Sequence, residues 1–284
     1  MNRLRIATRG SRLALAQTKI VADKLTALGI ASEPLVVLTK GDRDTQSPLP
    51  AIGGNGLFVR GIEEALLSGQ ADIAVHSAKD LPYDLAEGLL IGGIPQAQDP
   101  RERLLTRREQ LPPGPRIGTD SPRRREAFRR LCPDVFFCSL RGNVPTRVEK
   151  LRRGEYDGIL LAQVGLLRLG LDLSGLHGRV LEIEELLPAP CQGILAVECR
   201  AQDTKTRELL ERITDPLAAR RFAVERSLFC GMRAGCSAAV GAYAEIRGDR
   251  LRVYGCFEGK YARAQGAFAD YRSLCDEVRD RIWC

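Results

Sequence analysis

The feature that most constrains the fold of this chain is a strand that runs directly into a capped helix, and it occurs twice. The first copy is a strand at residues 4–7, with Ser11 as the N-cap of the helix that follows. The second is a strand at residues 116–118, with Ser121 as the N-cap and Pro122 at the first helical position. Because strands that alternate with helices build sheets covered by helices, the sequence predicts an α/β fold.

Both strand-to-helix turns carry groups that bind anions. Arg9 and Ser11 lie at the first turn, where backbone N–H groups and the helix dipole favour an anion; an ordinary capped helix is the alternative. Arg123 and Arg124 lie in the first turn of the second helix, where cations oppose the helix dipole. Such a conflict is tolerated on a solvated face or where an anion intervenes, and it favours a ligand-binding role for the second turn.

Arginine supplies most of the positive charge, because 36 of the 43 basic residues are arginines and the net charge is +7. The planar guanidinium binds carboxylates and phosphates with two hydrogen bonds, so the bias favours anionic ligands, although a GC-rich genome produces the same bias. Aromatic residues make up only 5% of the chain, and no zinc-finger or RNP-like pattern is present. We therefore predict no nucleic-acid partner.

The sequence predicts a cytoplasmic protein without a membrane partner. No apolar run approaches the ~20 residues of a membrane span, and the first ten residues lack the apolar core of a signal peptide. The nine cysteines are odd in number and form no C-x-x-C pair, which favours reduced thiols. With only two histidines, no metal site is expected.

A polar cluster follows the predicted strand at residues 71–75. Ligands of open α/β sheets bind beyond the carboxyl ends of the strands, where His76, Lys79 and Asp80 fall. Asp80 is a candidate acid–base carboxylate, and the alternative is a solvated ion pair with Lys79. His76 is interpreted as a structural hydrogen-bonding residue.

Two segments rich in proline and polar residues, at residues 95–115 and 187–193, are candidate hinges. They predict a discontinuous first domain (residues 1–96 and 192–214), a second domain (residues 97–191) and a small α+β third domain (residues 215–284). The ligand is expected in the cleft between the first two domains.

Cys236 lies in a turn framed by glycines and followed by small residues, which leave its sulfur uncrowded. A free cysteine is more often a small buried hydrophobic residue than a reactive group, so the pattern leaves both roles open.

Several stretches together resemble the porphobilinogen deaminase family, over nearly the whole chain. The two most specific are HSAKD at residues 76–80 and SLRGNV at residues 139–144. Four further matching stretches are residues 5–9, 56–59, 154–158 and 235–236.

The resemblance implies an enzyme that joins four porphobilinogen molecules head to tail and releases ammonia at each step. Cys236 would carry a covalent dipyrromethane cofactor, and Asp80 would be the catalytic carboxylate. Cofactor carboxylates would be bound by Lys79, Thr119, Ser121, Arg123, Arg124 and Arg141. Substrate carboxylates would be bound by Arg9, Ser11, Gln17 and Arg147.

The resemblance further implies two domains like those of periplasmic binding proteins, with an active-site cleft between them and the small α+β domain carrying the cofactor. The protein would be a monomer that passes its product to uroporphyrinogen III synthase. The chain departs from the family pattern at Ala51 and Asn55, where lysines are frequent, and at Cys191, where a glycine is usual. A two-domain anion receptor without chemistry is the alternative that needs neither Cys236 nor Asp80.

Overall fold

The computed structural model describes residues 3–38, 59–232 and 238–284. The family departures Ala51 and Asn55, the polar segment at residues 40–50 that precedes them, and the proposed attachment residue Cys236 lie outside the described residues. None of the helices in these three ranges is both long enough and apolar enough to cross a bilayer.

Strands and α-helices alternate along most of the described chain. In order they are β1 (Leu4–Thr8), α1 (Arg12–Ala27), β2 (Ser32–Val36), α2 (Arg60–Leu67), β3 (Ile73–Ser77), β4 (Leu89–Ala97), β5 (Glu102–Thr106), β6 (Arg116–Gly118), α3 (Pro122–Leu131), β7 (Phe136–Cys138), α4 (Val144–Arg152), β8 (Gly158–Ala162), α5 (Gln163–Leu169), β9 (His177–Leu181), β10 (Ile194–Arg200), α6 (Thr204–Arg212), α7 (Pro216–Met232), β11 (Val240–Arg247), β12 (Arg250–Phe257), β13 (Lys260–Ala267) and α8 (Tyr271–Trp283).

The chain divides into two compact units. Unit 1 comprises Met1–Gln98 and Gly193–Phe222, and unit 2 comprises Asp99–Gln192 and Ala223–Cys284. The first two boundaries fall in the two predicted hinges. The residues predicted as a third domain lie mostly in unit 2, so the division into three domains stays a prediction.

Unit 1 is built on a five-stranded sheet with the order β2-β1-β3-β10-β4. Strand β1 pairs in parallel with β2 and β3, whereas β10 is antiparallel to both of its neighbours, β3 and β4. One face of the sheet packs against α1 and α6 through residues such as Val21 and Leu210, and the other packs against α2 through Ile62 and Leu66. The sheet therefore lies buried between helices, as the α/β prediction requires.

Unit 2 contains a second five-stranded sheet with the same topology. Its order is β7-β6-β8-β5-β9, in which β6 is parallel to β7 and β8, and β5 is antiparallel to β8 and β9. In each sheet one strand is antiparallel to both of its neighbours: β10 in unit 1 and β5 in unit 2. Each of these strands is the first one after a hinge. Two α/β sheets of equivalent order confirm the predicted mixed α/β class.

The C-terminal part of unit 2 has a sheet and a core of its own. Strands β11, β12 and β13 form an antiparallel sheet, and α7 and α8 cover one face of it. Gly255 on β12 permits the close approach of α8, because a Cβ there would lie 2.6 Å from Val278 Cγ1. This part matches the small α+β arrangement predicted from the alternating segments.

The helix starts predicted at Ser11 and Ser121 are confirmed. Ser11 Oγ accepts the N–H of Ala14 at 3.2 Å, and Ser121 Oγ accepts the N–H of Arg124 at 3.4 Å. Each bond satisfies one of the N–H groups that a helix leaves without an internal partner.

Three strands are missed by the sequence reading. The segment at residues 95–115, interpreted as a hinge between domains, contains β5, and the sequence reading assigned no strand to the residues of β9 or β13. The start of β5 carries Glu102 and Arg103, which read as a polar linker; tertiary pairing buries Glu102 completely.

Candidate active site

The predicted catalytic carboxylate lies at the carboxyl end of a central strand. Strand β3 ends at Ser77, and one turn of 3₁₀-helix, Ala78–Asp80, follows at once. Ala78 is buried and Lys79 half-buried, whereas Asp80 is exposed. The buried Ala78 therefore anchors the turn, and Asp80 is exposed to solvent.

A small cavity of about 70 Å³ brings this turn together with the turn between β1 and α1. Its wall contains Arg9, Ser11 and Gln17 from the first turn and helix, and Ser77 and Asp80 from the second. Four of the residues predicted from the sequence thus share one cavity in unit 1. A guanidinium and a carboxylate in one wall can bind a ligand that carries both an anionic and a cationic group.

A hydrogen bond of Gln17 joins the two segments that form the wall of this cavity. Its side chain is almost fully buried and donates from Nε2 to Ser77 Oγ at 2.7 Å. The bond connects α1 to the last residue of β3, three positions before Asp80. Gln17 was predicted to bind substrate, and the structure gives it a bond that orients the Asp80 turn.

In unit 2, the two arginines of the α3 first turn converge on Glu102, a buried carboxylate at the start of β5. Arg123 Nη2 donates to Glu102 Oε1 at 2.6 Å, and Arg124 Nη2 lies 2.8 Å from Oε2. Glu102 has no exposed surface, and the arginines are 6% and 9% exposed. The negative charge of Glu102 compensates much of the unfavourable interaction between the two guanidinium groups and the positive end of the helix dipole.

The same cluster forms hydrogen bonds with Leu187 and Gln192 of the second predicted hinge. Arg123 Nη1 donates to the carbonyl oxygen of Leu187, and Gln192 Nε2 donates both to Glu102 Oε1 at 3.1 Å and to the carbonyl oxygen of Pro100 at 2.6 Å. Arg123 therefore has a structural role that its prediction as a cofactor-binding residue did not include.

The Glu102 cluster makes a stability prediction. Glu102→Gln would remove the carboxylate that lies between two buried guanidinium groups, and removing one partner of a buried ion pair costs about 3–5 kcal/mol. We expect a loss of that size in the free energy of unfolding, measured by urea denaturation. Glu109→Gln, at an exposed glutamate, is the control and should change it by less than about 0.5 kcal/mol. Equal stability of the two variants would contradict the assignment.

Arg147 belongs to a second group of cations in unit 2, together with Arg124 and Arg141. Arg147 is half-buried and donates Nε–H to the carbonyl oxygen of Gly142 at 2.7 Å. Burial lowers the pKa of Arg147 to about 10, with further lowering by the charges of Arg124 and Arg141, while Asp120 opposes the shift. Crowded guanidinium groups of this kind are stabilised by a bound anion.

The donor set of unit 2 fits the carboxylates of a dipyrromethane, whose two rings each bear an acetate and a propionate. Arg141 and Arg147 contribute guanidinium groups, and Ser121 contributes the hydroxyl at the N-cap of α3. Thr119 is buried, and its Oγ1 accepts the N–H of Ser121 at 3.2 Å, so it shapes this turn from within.

No disulfide joins the cysteines of residues 3–38, 59–232 and 238–284, and burial protects several of their thiols. Burial raises the pKa values of Cys199, Cys256 and Cys275 to about 11, which suppresses their thiolates near neutral pH. Cys191 is buried and has a φ of 61°, the left-handed conformation in which glycine avoids the strain of a side chain. The family departure at Cys191 therefore falls where a glycine is physically favoured.

Comparisons with known proteins agree on one family. A family profile described as "Porphobilinogen deaminase, dipyromethane cofactor binding domain" matches residues 4–208. A porphobilinogen deaminase of Streptococcus sanguinis is 45% identical over 89% of this chain and 85% of its own length. A porphobilinogen deaminase of Roseiflexus castenholzii is 44% identical over 99% of this chain and 96% of its own.

Among solved structures, the periplasmic VFT2 domain of BvgS from Bordetella pertussis aligns with a TM-score of 0.43 and 14% identity. The alignment covers 80% of this chain and 92% of that domain.

Proposed function

The chain belongs to the porphobilinogen deaminase family, and on this premise we propose that it acts as a hydroxymethylbilane synthase. This transferase joins four porphobilinogen molecules head to tail on a dipyrromethane cofactor, releases ammonia at each addition, and then frees the linear tetrapyrrole by hydrolysis. The observation that carries the proposal is the cavity of unit 1, in which Asp80 shares a wall with Arg9 and Ser11. Porphobilinogen carries both carboxylates and an aminomethyl group, which this pair of opposite charges suits.

Asp80 has the central chemical role in this proposal. Each addition replaces the C–N bond of the aminomethyl group by a C–C bond, so ammonia leaves and positive charge develops on the pyrrole. The exposed carboxylate of Asp80 stabilises this cation and the departing ammonium. Arg9 and Ser11 bind the carboxylates of the incoming ring, and Gln17 orients the turn through Ser77.

The cofactor is proposed to be attached through Cys236, and when bound it supplies the free α-carbon on which the chain grows. Lys79, Ser121, Arg124, Arg141 and Arg147 are the side chains proposed to hold the carboxylates of the cofactor and of the growing chain. Each charged hydrogen bond of this kind contributes about 1.5–3 kcal/mol. Arg123 and Thr119 support these side chains indirectly. Arg123 donates to Glu102, and Thr119 accepts the N–H of Ser121.

Several wider properties are part of the same proposal. The two α/β domains would resemble those of periplasmic binding proteins, with residues 215–284 as the cofactor-carrying domain. The enzyme would be a cytoplasmic monomer, and its product would pass to uroporphyrinogen III synthase.

Stoichiometry tests this function against the anion-receptor alternative. Purified protein incubated with porphobilinogen should release four ammonia molecules for each linear tetrapyrrole, as measured by an ammonia assay and mass spectrometry of the product. A receptor would bind porphobilinogen, detectable by calorimetry, and release no ammonia. Binding without ammonia release would reject the proposed activity.

A further inference from the structure

Next to the Asp80 cavity lies a group of three buried ionisable side chains that has no role in the proposed function so far. It consists of Glu63 on α2, His76 on β3 and Glu198 on β10, which are 7%, 6% and 0% exposed. His76 also lines the cavity wall. Burying three ionisable groups is costly unless they neutralise one another, so their presence requires a physical explanation.

The pairing of two strands places the histidine against one of the carboxylates. Strands β3 and β10 are antiparallel, with His76 opposite Ala196 and Ala74 opposite Glu198. His76 and Glu198 are therefore diagonal neighbours on one face of the sheet. His76 Nε2 lies 3.0 Å from Glu198 Oε2, a hydrogen-bonding distance.

The two glutamates of the group have different hydrogen-bond partners. Burial raises the pKa of Glu63, the N–H of Ala86 at 3.1 Å from Oε1 opposes the rise, and the charge of Glu198 raises it further. Glu63 is therefore bonded to the backbone of Ala86, whereas Glu198 faces the ring of His76. Glu198 Oε1 is buried and has no hydrogen-bond partner among the described residues, so His76 is the principal partner of this charge.

The geometry points to Glu198 as a positioning residue for the Asp80 turn, acting through His76; this inference rests on the proposed function, in which Asp80 is catalytic. Side chains alternate between sheet faces, so Ser77 is held on the α1 face by Gln17 while His76 is held on the α2 face by Glu198. The last two residues of β3 are thereby fixed from both sides, immediately before Ala78–Asp80.

The kinetic consequence follows from the sensitivity of catalysis to geometry. A displacement of about 1 Å at a catalytic group can reduce a rate by roughly 10²-fold even when the substrate still binds. Gln keeps the volume of Glu198 and an oxygen that can accept a hydrogen bond from His76, so the Glu198→Gln variant is expected to fold. The effect of Glu198 is therefore expected mainly in turnover.

The test is Glu198→Gln, which keeps the shape and removes the charge. We expect kcat to fall by roughly 10-fold or more while KM changes by less than about 3-fold, because the substrate-binding arginines are untouched. Glu64→Gln, at an exposed residue of α2, is the control and should leave both constants unchanged. Glu63→Gln should lower kcat by no more than about 3-fold, because the amide oxygen of Gln can still accept the N–H of Ala86, outside the β3–β10 pair.

Nitrogen-15 NMR of the histidine rings provides a readout that does not depend on turnover. The chain has two histidines, and His177 is exposed, so it serves as an internal reference. In the wild-type protein we expect a proton on His76 Nε2 with the shift of a strong hydrogen bond, and we expect Glu198→Gln to change that shift without affecting His177.

Each outcome decides the inference. Wild-type kcat in a folded Glu198→Gln variant would overturn it, as would a wild-type His76 ring without a proton on Nε2, a result that needs no variant to fold. If Asp80→Asn retained turnover while the His76 signal was as expected, the proposed catalytic role would fail and the His76–Glu198 pair would stand as a structural element only.

Discussion

Asp80→Asn is expected to fold normally and to lose nearly all porphobilinogen turnover. The variant keeps the 3₁₀ turn, because Asp80 is exposed and its buried neighbours in the turn are unchanged. It removes the negative charge that stabilises the pyrrole cation as ammonia leaves. Loss of one preorganised electrostatic group of this kind costs roughly 10²–10³-fold in kcat, and we expect at least this reduction in ammonia release under saturating porphobilinogen.

The matched control is Glu87→Gln, which removes an exposed carboxylate seven residues later in the same connection. It should leave kcat within about 2-fold of the wild-type value, since exposed charges contribute little at a distance. The thermal unfolding midpoints of both variants should match that of the wild-type protein. An Asp80→Asn enzyme with near-normal kcat would exclude this carboxylate from the chemistry.

Cys236→Ser is expected to remove both the covalent cofactor and the activity. Attachment forms a C–S bond and expels ammonia for the first ring, and a C–C bond with a second ammonia for the next. Intact wild-type protein should therefore exceed its sequence mass by two porphobilinogen units less two ammonias. The serine variant should show the sequence mass and no tetrapyrrole formation, because an alcohol is a far weaker nucleophile than a thiolate.

Cys284→Ser is the control for this experiment, because Cys284 is exposed and accessible to the same chemistry. It should retain the added mass and full activity. Cys199, Cys256 and Cys275 are poor alternatives, since burial raises their pKa values to about 11. Active wild-type protein at the unmodified sequence mass, or an added mass that persists in Cys236→Ser, would contradict attachment at Cys236.

Much of the fold is predictable from local sequence signals. The capped helices behind Ser11 and Ser121 follow from their N-caps, and the strand Ile73–Ser77 follows from its apolar run. Strand β5 is not predictable in this way, because the charge of Glu102 is typical of a linker and the arginines that compensate it, Arg123 and Arg124, lie 21 and 22 positions later. Long-range pairing of this kind leaves no local periodicity.

The same distinction applies to the candidate site. Arg9, Asp80 and Arg147 are recognisable because polar groups at strand ends and helix starts mark ligand sites in α/β folds. Glu198 sits inside a strand and 122 positions from His76, so nothing in the sequence joins the two. Sequence reasoning finds the groups that face a ligand more readily than the buried groups that orient them.

The position of β10 has a consequence for how the protein is made. The strands of the second five-stranded sheet are contiguous, so that sheet is complete once Leu181 has left the ribosome. The first sheet needs β10, which inserts between β3 and β4 and ends only at Arg200. Until then β3 and β4 have unpaired edges, which are prone to aggregation. The N-terminal sheet is thus the later of the two to close during translation, in contrast to the usual N-to-C order of domain folding.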